Sequence, residues 1–283
     1  MLRSDTLASS PLATVDRLAE LLRWYAEMGV DAVMDEQAHD RFSEADVAPP
    51  AFYVAEPVAL VPAPPEPLRL PARPAAQPPD QANQTAQALA AACDTLDALR
   101  AALDGFDGCT LKRSATQLVF EDGNRTARIM LVGEAPGAEE DRTGKPFTGR
   151  AGQLLDLMLA ACGLDRTSVY IANIVPWRPP GNIAPTPVQT AACLPFVQRQ
   201  IALARPDHLV CLGAASTAAL LGLTDGIIRT RGRWFDYDCD GRIIPAMAML
   251  HPEYLLKQPL QKRLAWRDWR AVMQAAGPQG VRG

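Results

Sequence analysis

A chain of 283 residues, 48% of them apolar, can bury a complete α/β core, and its length fits one domain plus additional material better than two domains. No stretch approaches the roughly eighteen uninterrupted apolar residues of a membrane span, and the opening Met-Leu-Arg-Ser-Asp-Thr lacks the apolar core of a secretion signal, so a cytoplasmic protein is expected. The net charge of −4 argues against a phosphate-rich partner only until the chain is divided: residues 1–90 hold 13 acids and 6 bases, whereas residues 91–283 hold 19 acids and 22 bases.

In chain order, the first element is a helix that begins at Ser10-Pro11, repeats apolar residues at Leu12, Val15, Leu18, Leu22, Tyr25 and Met28, and stops at Gly29. It lies in an N-terminal extension, residues 1–47. Eleven of the 25 prolines fall between Ala48 and Pro79, which rules out helix or central strand and marks residues 48–84 as an extended linker. A second helix is predicted from Thr85, as N-cap, to Leu103, with Leu89, Ala92, Leu96, Leu99 and Leu103 on one face.

From Leu118 onward strand-like runs alternate with helical patterns. The strands are predicted at 129–132, 169–174, 208–212 and 243–250, the helices at 152–162, 187–204, 214–221 and 262–276. That alternation predicts a three-layer α/β/α domain over residues 85–283 with a central, mostly parallel sheet. Arginines at 229, 231, 233, 242, 263, 267 and 270 predict a basic face on it.

Three segments at the carboxyl ends of predicted strands have compositions that core packing does not explain. The first, Gly133 to Gly152, holds five glycines, two prolines, four acids and Phe147, directly after Ile129-Met130-Leu131-Val132. The second is Asn173-Ile174-Val175-Pro176-Trp177-Arg178-Pro179-Pro180-Gly181-Asn182, the third His251-Pro252-Glu253-Tyr254-Leu255-Leu256. Open α/β sheets hold ligands in such places, so the Gly-rich loop is the leading candidate for an active site.

With these segments in this order, residues from about 90 to 276 resemble the family 4/5 enzymes of the uracil-DNA glycosylase superfamily. The match runs through Gly-Glu-Ala-Pro-Gly, Glu-Asp, Pro-Phe, Gly-Arg-Ala-Gly-Gln-Leu-Leu, Arg-Pro-Pro-Gly-Asn and His-Pro-x-Tyr-Leu-Leu. The resemblance implies a monofunctional glycosylase that flips uracil out of DNA and starts base-excision repair, working as a monomer on uracil-containing DNA. By position, Glu134 matches the acid that positions water and stabilises the cationic sugar, and His251 the donor to uracil O2. Phe147 matches the aromatic that stacks on the base, and Asn173 the reader of its edge, with Glu140 and Gly137 in support. The backbone amides of Gly133, Gly137, Gly149 and Gly152, with Arg150 and Arg178, are expected at the DNA phosphates, and Tyr254, Leu255 and Leu256 at the gap left by the flipped nucleotide. No lysine occupies a motif position suited to a Schiff-base nucleophile.

Many members of that family carry a [4Fe-4S] cluster on four cysteines. The corresponding positions here are Phe106, Cys109, Trp177 and Cys193, so two ligands remain and no cofactor is expected. The other cysteines, Cys93, Cys162, Cys211 and Cys239, form no Cys-x-x-Cys pattern. Two rivals compete with the glycosylase reading. One is a phosphate- or nucleotide-binding α/β protein, which lacks a Gly-x-x-x-x-Gly-Lys-[Ser/Thr] or Gly-x-Gly-x-x-Gly motif; the other is an inactive DNA-binding relative, disfavoured by the presence of Glu134, Asn173 and His251.

Overall fold

The computed structural model describes residues 79–277; the helix expected over residues 10–29 and the proline-rich stretch up to residue 78 lie outside the described residues. The described chain opens with two helices, α1 (Pro79–Ala91) and α2 (Leu96–Gly105), where the apolar stripe predicts one from Thr85 to Leu103. The break arises because Thr95 is extended and its hydroxyl accepts from the Ala98 amide at 3.1 Å, capping a new helix. Thr85 caps nothing: it lies inside α1, and its hydroxyl turns back to the Gln81 carbonyl at 2.8 Å.

Six strands form one sheet: β1 (Asp122–Gly123), β2 (Ile129–Gly133), β3 (Val169–Asn173), β4 (His208–Leu212), β5 (Trp234–Cys239) and β6 (Arg242–Met249). Their order is β1-β3-β2-β4-β6-β5, with the four central strands parallel and both edge strands antiparallel to their neighbours. Every residue of β2, β3 and β4 is buried, as strands covered by helices on both faces require. The expected strands and order of helices are present; the β5–β6 hairpin was not expected. It turns at Asp240-Gly241, both with positive φ, an Asp-Gly pair of the kind that closes tight hairpins.

Alternation within the strands assigns the two outer layers. Met130, Val132, Tyr170, Ala172, Leu209 and Cys211 face α1, α2 and α5 (Pro187–Ala204). Leu131, Ile171, Val210 and Met249 face the opposite way, onto Leu155 and Leu159 of α4 (Arg150–Ala161) and Trp269 and Val272 of α9 (Lys262–Ala276). This is a three-layer α/β/α arrangement. Four shorter helices complete it: α3 (Ala138–Thr143), α6 (Ala214–Leu221), α7 (Ile227–Thr230) and α8 (Pro252–Lys257). One arginine assigned to the basic face is spent internally, since Arg231 pairs with buried Asp268 through Nε at 2.8 Å and through Nη2.

Candidate active site

The carboxyl ends of β2 and β3 lie side by side, with Gly133 in register with Asn173. A Cβ on Gly133 would stand 2.5 Å from Asn173 Oδ1 and 2.6 Å from the Phe147 ring, so the missing side chain is what lets amide and ring meet there. Asn173 is buried at this junction. Phe147 is also buried and adopts φ 56°, a left-handed conformation that costs a residue with a side chain about 1–2 kcal/mol. The chain tolerates it because α4 begins against this turn: a Cβ on Gly152 would fall 1.5 Å from the Phe147 carbonyl oxygen.

Glu140 braces the loop from inside. One carboxylate oxygen accepts from the Gly137 amide at 3.1 Å and the other from the Gly149 amide at 2.9 Å. This corrects one expectation: the Gly137 and Gly149 amides, assigned to phosphates, are engaged by Glu140, which supports the loop and also lines a cavity. The cradle of free amides that a phosphate-binding protein would need is therefore filled from within. Gly152 likewise serves close helix packing. Asp141 is structural, accepting from Thr116 N and Oγ1 at 2.8 Å each.

His251 follows β6 and caps α8: its Nδ1 accepts from the Glu253 amide at 3.2 Å. A nitrogen that accepts carries no proton, so the neutral ring bears its hydrogen on Nε2. Burial pulls the imidazole pKa down to about 4, against the opposing pull of Glu253 and Glu140. The ring is neutral at physiological pH and lies 5.5 Å, centroid to centroid, from Phe147.

These groups share one cavity of about 450 Å³, lined by Gly137, Glu140, Phe147, Asn173 and His251. Glu134 is not among its walls. It lines an adjoining cavity of about 370 Å³ with Asn182 and Ile183, and the two spaces share Ala135, Gly137, His251, Glu253 and Lys257. Burial, and secondarily the Glu253 charge, raises the Glu134 pKa above the ordinary carboxylate value. The arrangement offers an in-plane amide, an aromatic face and a neutral N–H donor in one space, and a carboxylate next to it.

At the rim, Arg150 opens α4 on the cavity wall and is exposed. Arg178 lines neither cavity; its Nε donates at 2.8 Å to Asn182 Oδ1. Leu255, expected at the DNA, is fully buried against Leu250 and Ala265, and half-buried Tyr254 packs on the same cluster. Of the three residues expected there, the helical turn of α8 brings Leu256 to the cavity wall. Sequence reasoning missed Glu253 and Lys257, whose 2.7 Å ion pair is legible as an i,i+4 spacing following His251.

The four cluster positions are all buried in the core cluster that faces α1, α2 and α5, and their chemistry does not fit a four-thiolate cluster. Cys109 and Cys193 share a hydrogen bond that favours the proton on Cys193. Phe106 and Trp177 are buried where the other two thiolates would stand, and Phe106 packs on Phe196 with ring centroids 5.1 Å apart. A Cβ on Gly108 would lie 2.3 Å from the Phe106 ring, so that space is filled by side chain.

The family model described as the uracil DNA glycosylase superfamily matches residues 120–270. The chain is similar to the type-4 uracil-DNA glycosylase of Thermotoga maritima, 43% identical over 150 residues, which cover 53% of this chain and 77% of that protein. It is 36% identical to the type-4 uracil-DNA glycosylase of Archaeoglobus fulgidus over 173 residues, covering 60% of this chain and 87% of the relative. A DNA polymerase of Bacillus phage SP01 is 34% identical over 176 residues, 61% of this chain but 18% of that protein.

Two outcomes follow from the buried groups. An imidazole held near 4 in the folded chain and titrating at 6.5 when unfolded is protonated more readily in the unfolded chain between those limits, so its share of stability is lost as pH falls from 6.5 towards 4. His251→Gln removes that term: the unfolding midpoint of the wild type should fall more steeply than the variant's across this window, and parallel curves would contradict the assignment. The second outcome concerns iron. Protein purified without oxygen is expected to be colourless, and stoichiometric iron and sulfide would overturn the reading of Phe106 and Trp177 as packing residues.

Proposed function

The chain belongs to the uracil-DNA glycosylase superfamily, and from that premise we infer that it is a monofunctional uracil-DNA glycosylase, releasing free uracil and leaving an abasic site. The observation that supports this best is the convergence of Asn173, Phe147 and the neutral His251 on one cavity at the end of β2 and β3. Uracil inside a duplex is out of reach, so the nucleotide must be turned out into the cavity before chemistry begins. Phe147 then stacks on its face, and the Asn173 amide offers a donor and an acceptor to O4 and N3 in the plane of the ring.

Cleavage separates charge: the sugar becomes cation-like as the uracil leaves as an anion. The Nε2–H of His251 donates to O2, where the negative charge collects, and a neutral donor suffices for that task. Glu134, in the adjoining cavity, faces the sugar side, where its carboxylate stabilises the cation and orients the attacking water. Lys257 lines both cavities with its amine paired to Glu253, and among the described residues no other lysine lines either one, which supports a monofunctional enzyme over one that forms a Schiff base and cuts the strand.

Arg150 at the mouth supplies positive charge for the phosphates, and Leu256 is the apolar group placed to enter the vacated stack. On this reading the catalytic unit begins with α1 at Pro79, where a linker was expected to run on to residue 84, and it acts as a monomer on uracil-containing DNA in the cytoplasm, without a cluster. No helix among the described residues is long and apolar enough to cross a membrane.

The test is direct. A uracil-containing oligonucleotide incubated with the protein and then treated with hot alkali should break at the uracil, and should stay whole without the alkali. His251→Ala should slow single-turnover cleavage roughly tenfold to a thousandfold, as loss of one transition-state donor does, with little change in DNA binding. An intact oligonucleotide after alkali, or wild-type cleavage by the variant, would contradict the reading.

A further inference from the structure

The left-handed Phe147 is held in place by a residue outside all three motifs. Arg166 lies in the turn before β3, and its guanidinium reaches across to the Gly-rich loop. Nη1 donates to the Pro146 carbonyl at 3.1 Å, and Nη2 donates to the Phe147 carbonyl. The far side of the same fork is anchored on two acids: Nη1 donates to Asp122 Oδ2 at 2.7 Å, and Nε to Asp156 Oδ1 at 2.9 Å. Asp122 is fixed in turn at the sheet edge by its place in β1 and by Lys145 at 3.5 Å.

The two carbonyls belong to the peptide planes on either side of the Phe147 Cα. Rotation of the first plane about Cα is φ and rotation of the second is ψ. A rigid fork that binds both therefore sets the torsion pair of Phe147, and with it the position of the ring above Gly133. We propose that Arg166 is the positioning residue for the base-stacking ring, clamping Pro146 and Phe147 so that the slot exists before uracil arrives. The proposal rests on the reading of Phe147 as the stacking residue. A lysine cannot replace the arginine, because one ammonium does not present the coplanar donors that meet two carbonyls and two carboxylates together.

The experiment is a double-mutant cycle on single-turnover uracil excision with Arg166→Lys, Phe147→Ala and the double variant, supplemented by two binding measurements. Arg166→Lys should slow excision roughly tenfold to a hundredfold, the scale expected when a reacting group is displaced by about an ångström. It should weaken inhibition by free uracil, which needs the stacked ring, yet leave affinity for an abasic-site oligonucleotide unchanged, since that ligand has no base. With Phe147 already replaced by alanine, adding Arg166→Lys should change the rate by no more than about twofold. Equal effects in both backgrounds, or a wild-type rate for Arg166→Lys, would overturn the clamp. A wild-type rate for Phe147→Ala alone would instead remove the stacking reading, and the clamp with it. If Arg166→Lys fails to fold, Asp156→Asn, which frees one anchor of the guanidinium, is put through the same cycle with the same criteria.

Discussion

The site depends on steric room at two backbone positions. Without a side chain at Gly133, the Asn173 amide and the Phe147 ring can approach the end of β2 together; without one at Gly152, the first turn of α4 can press against the Phe147 carbonyl. The loop between β2 and α4 is thereby folded back over the sheet. Its remaining polar groups are then satisfied internally, the Gly137 and Gly149 amides by Glu140 and the carbonyls of Pro146 and Phe147 by Arg166. Rigidity at the base follows from that closure, and a rigid pocket need not be reorganised as charge develops.

The electrostatics are arranged by burial more than by ion pairing. His251 remains neutral because its surroundings exclude the charged form, and the Glu253 amide fixes which nitrogen carries the proton. Glu134 is held in an adjoining space where desolvation raises its pKa, so its field on a nearby cation is weakly screened. Donor and acceptor are thus kept in separate compartments across Gly137 and His251, matching a reaction that drives opposite charges apart.

Much of this was legible in the chain. Buried parallel strands read as unbroken apolar runs, which located β2, β3, β4 and β6 to within a residue or two, and the helical period gave 187–204, 214–221 and 262–276 as they stand. The short helices α3, α7 and α8 have too few turns for a period, and the edge strand β5 alternates on a mostly exposed surface with no apolar run. Motif position singled out Phe147, Asn173 and His251, which line one cavity, but it could not say which of two adjacent leucines a helix turns inward: Leu255 is core and Leu256 faces the cavity. Nor could glycine spacing reveal that Glu140 claims two of the loop amides. Arg166 was invisible for a simpler reason, since its partners at positions 122, 146, 147 and 156 are distant from it in sequence and share no pattern.

The claim on which the rest stands is that uracil is excised in the slot that Gly133 leaves open. The most direct measurement is the single-turnover excision rate of Gly133→Ala alongside its thermal transition. A methyl group there meets Asn173 Oδ1 and the Phe147 ring at well under contact distance, so excision is predicted to fall by at least about a hundredfold in a protein that still unfolds cooperatively. A folded Gly133→Ala variant that removes uracil at the wild-type rate would contradict it.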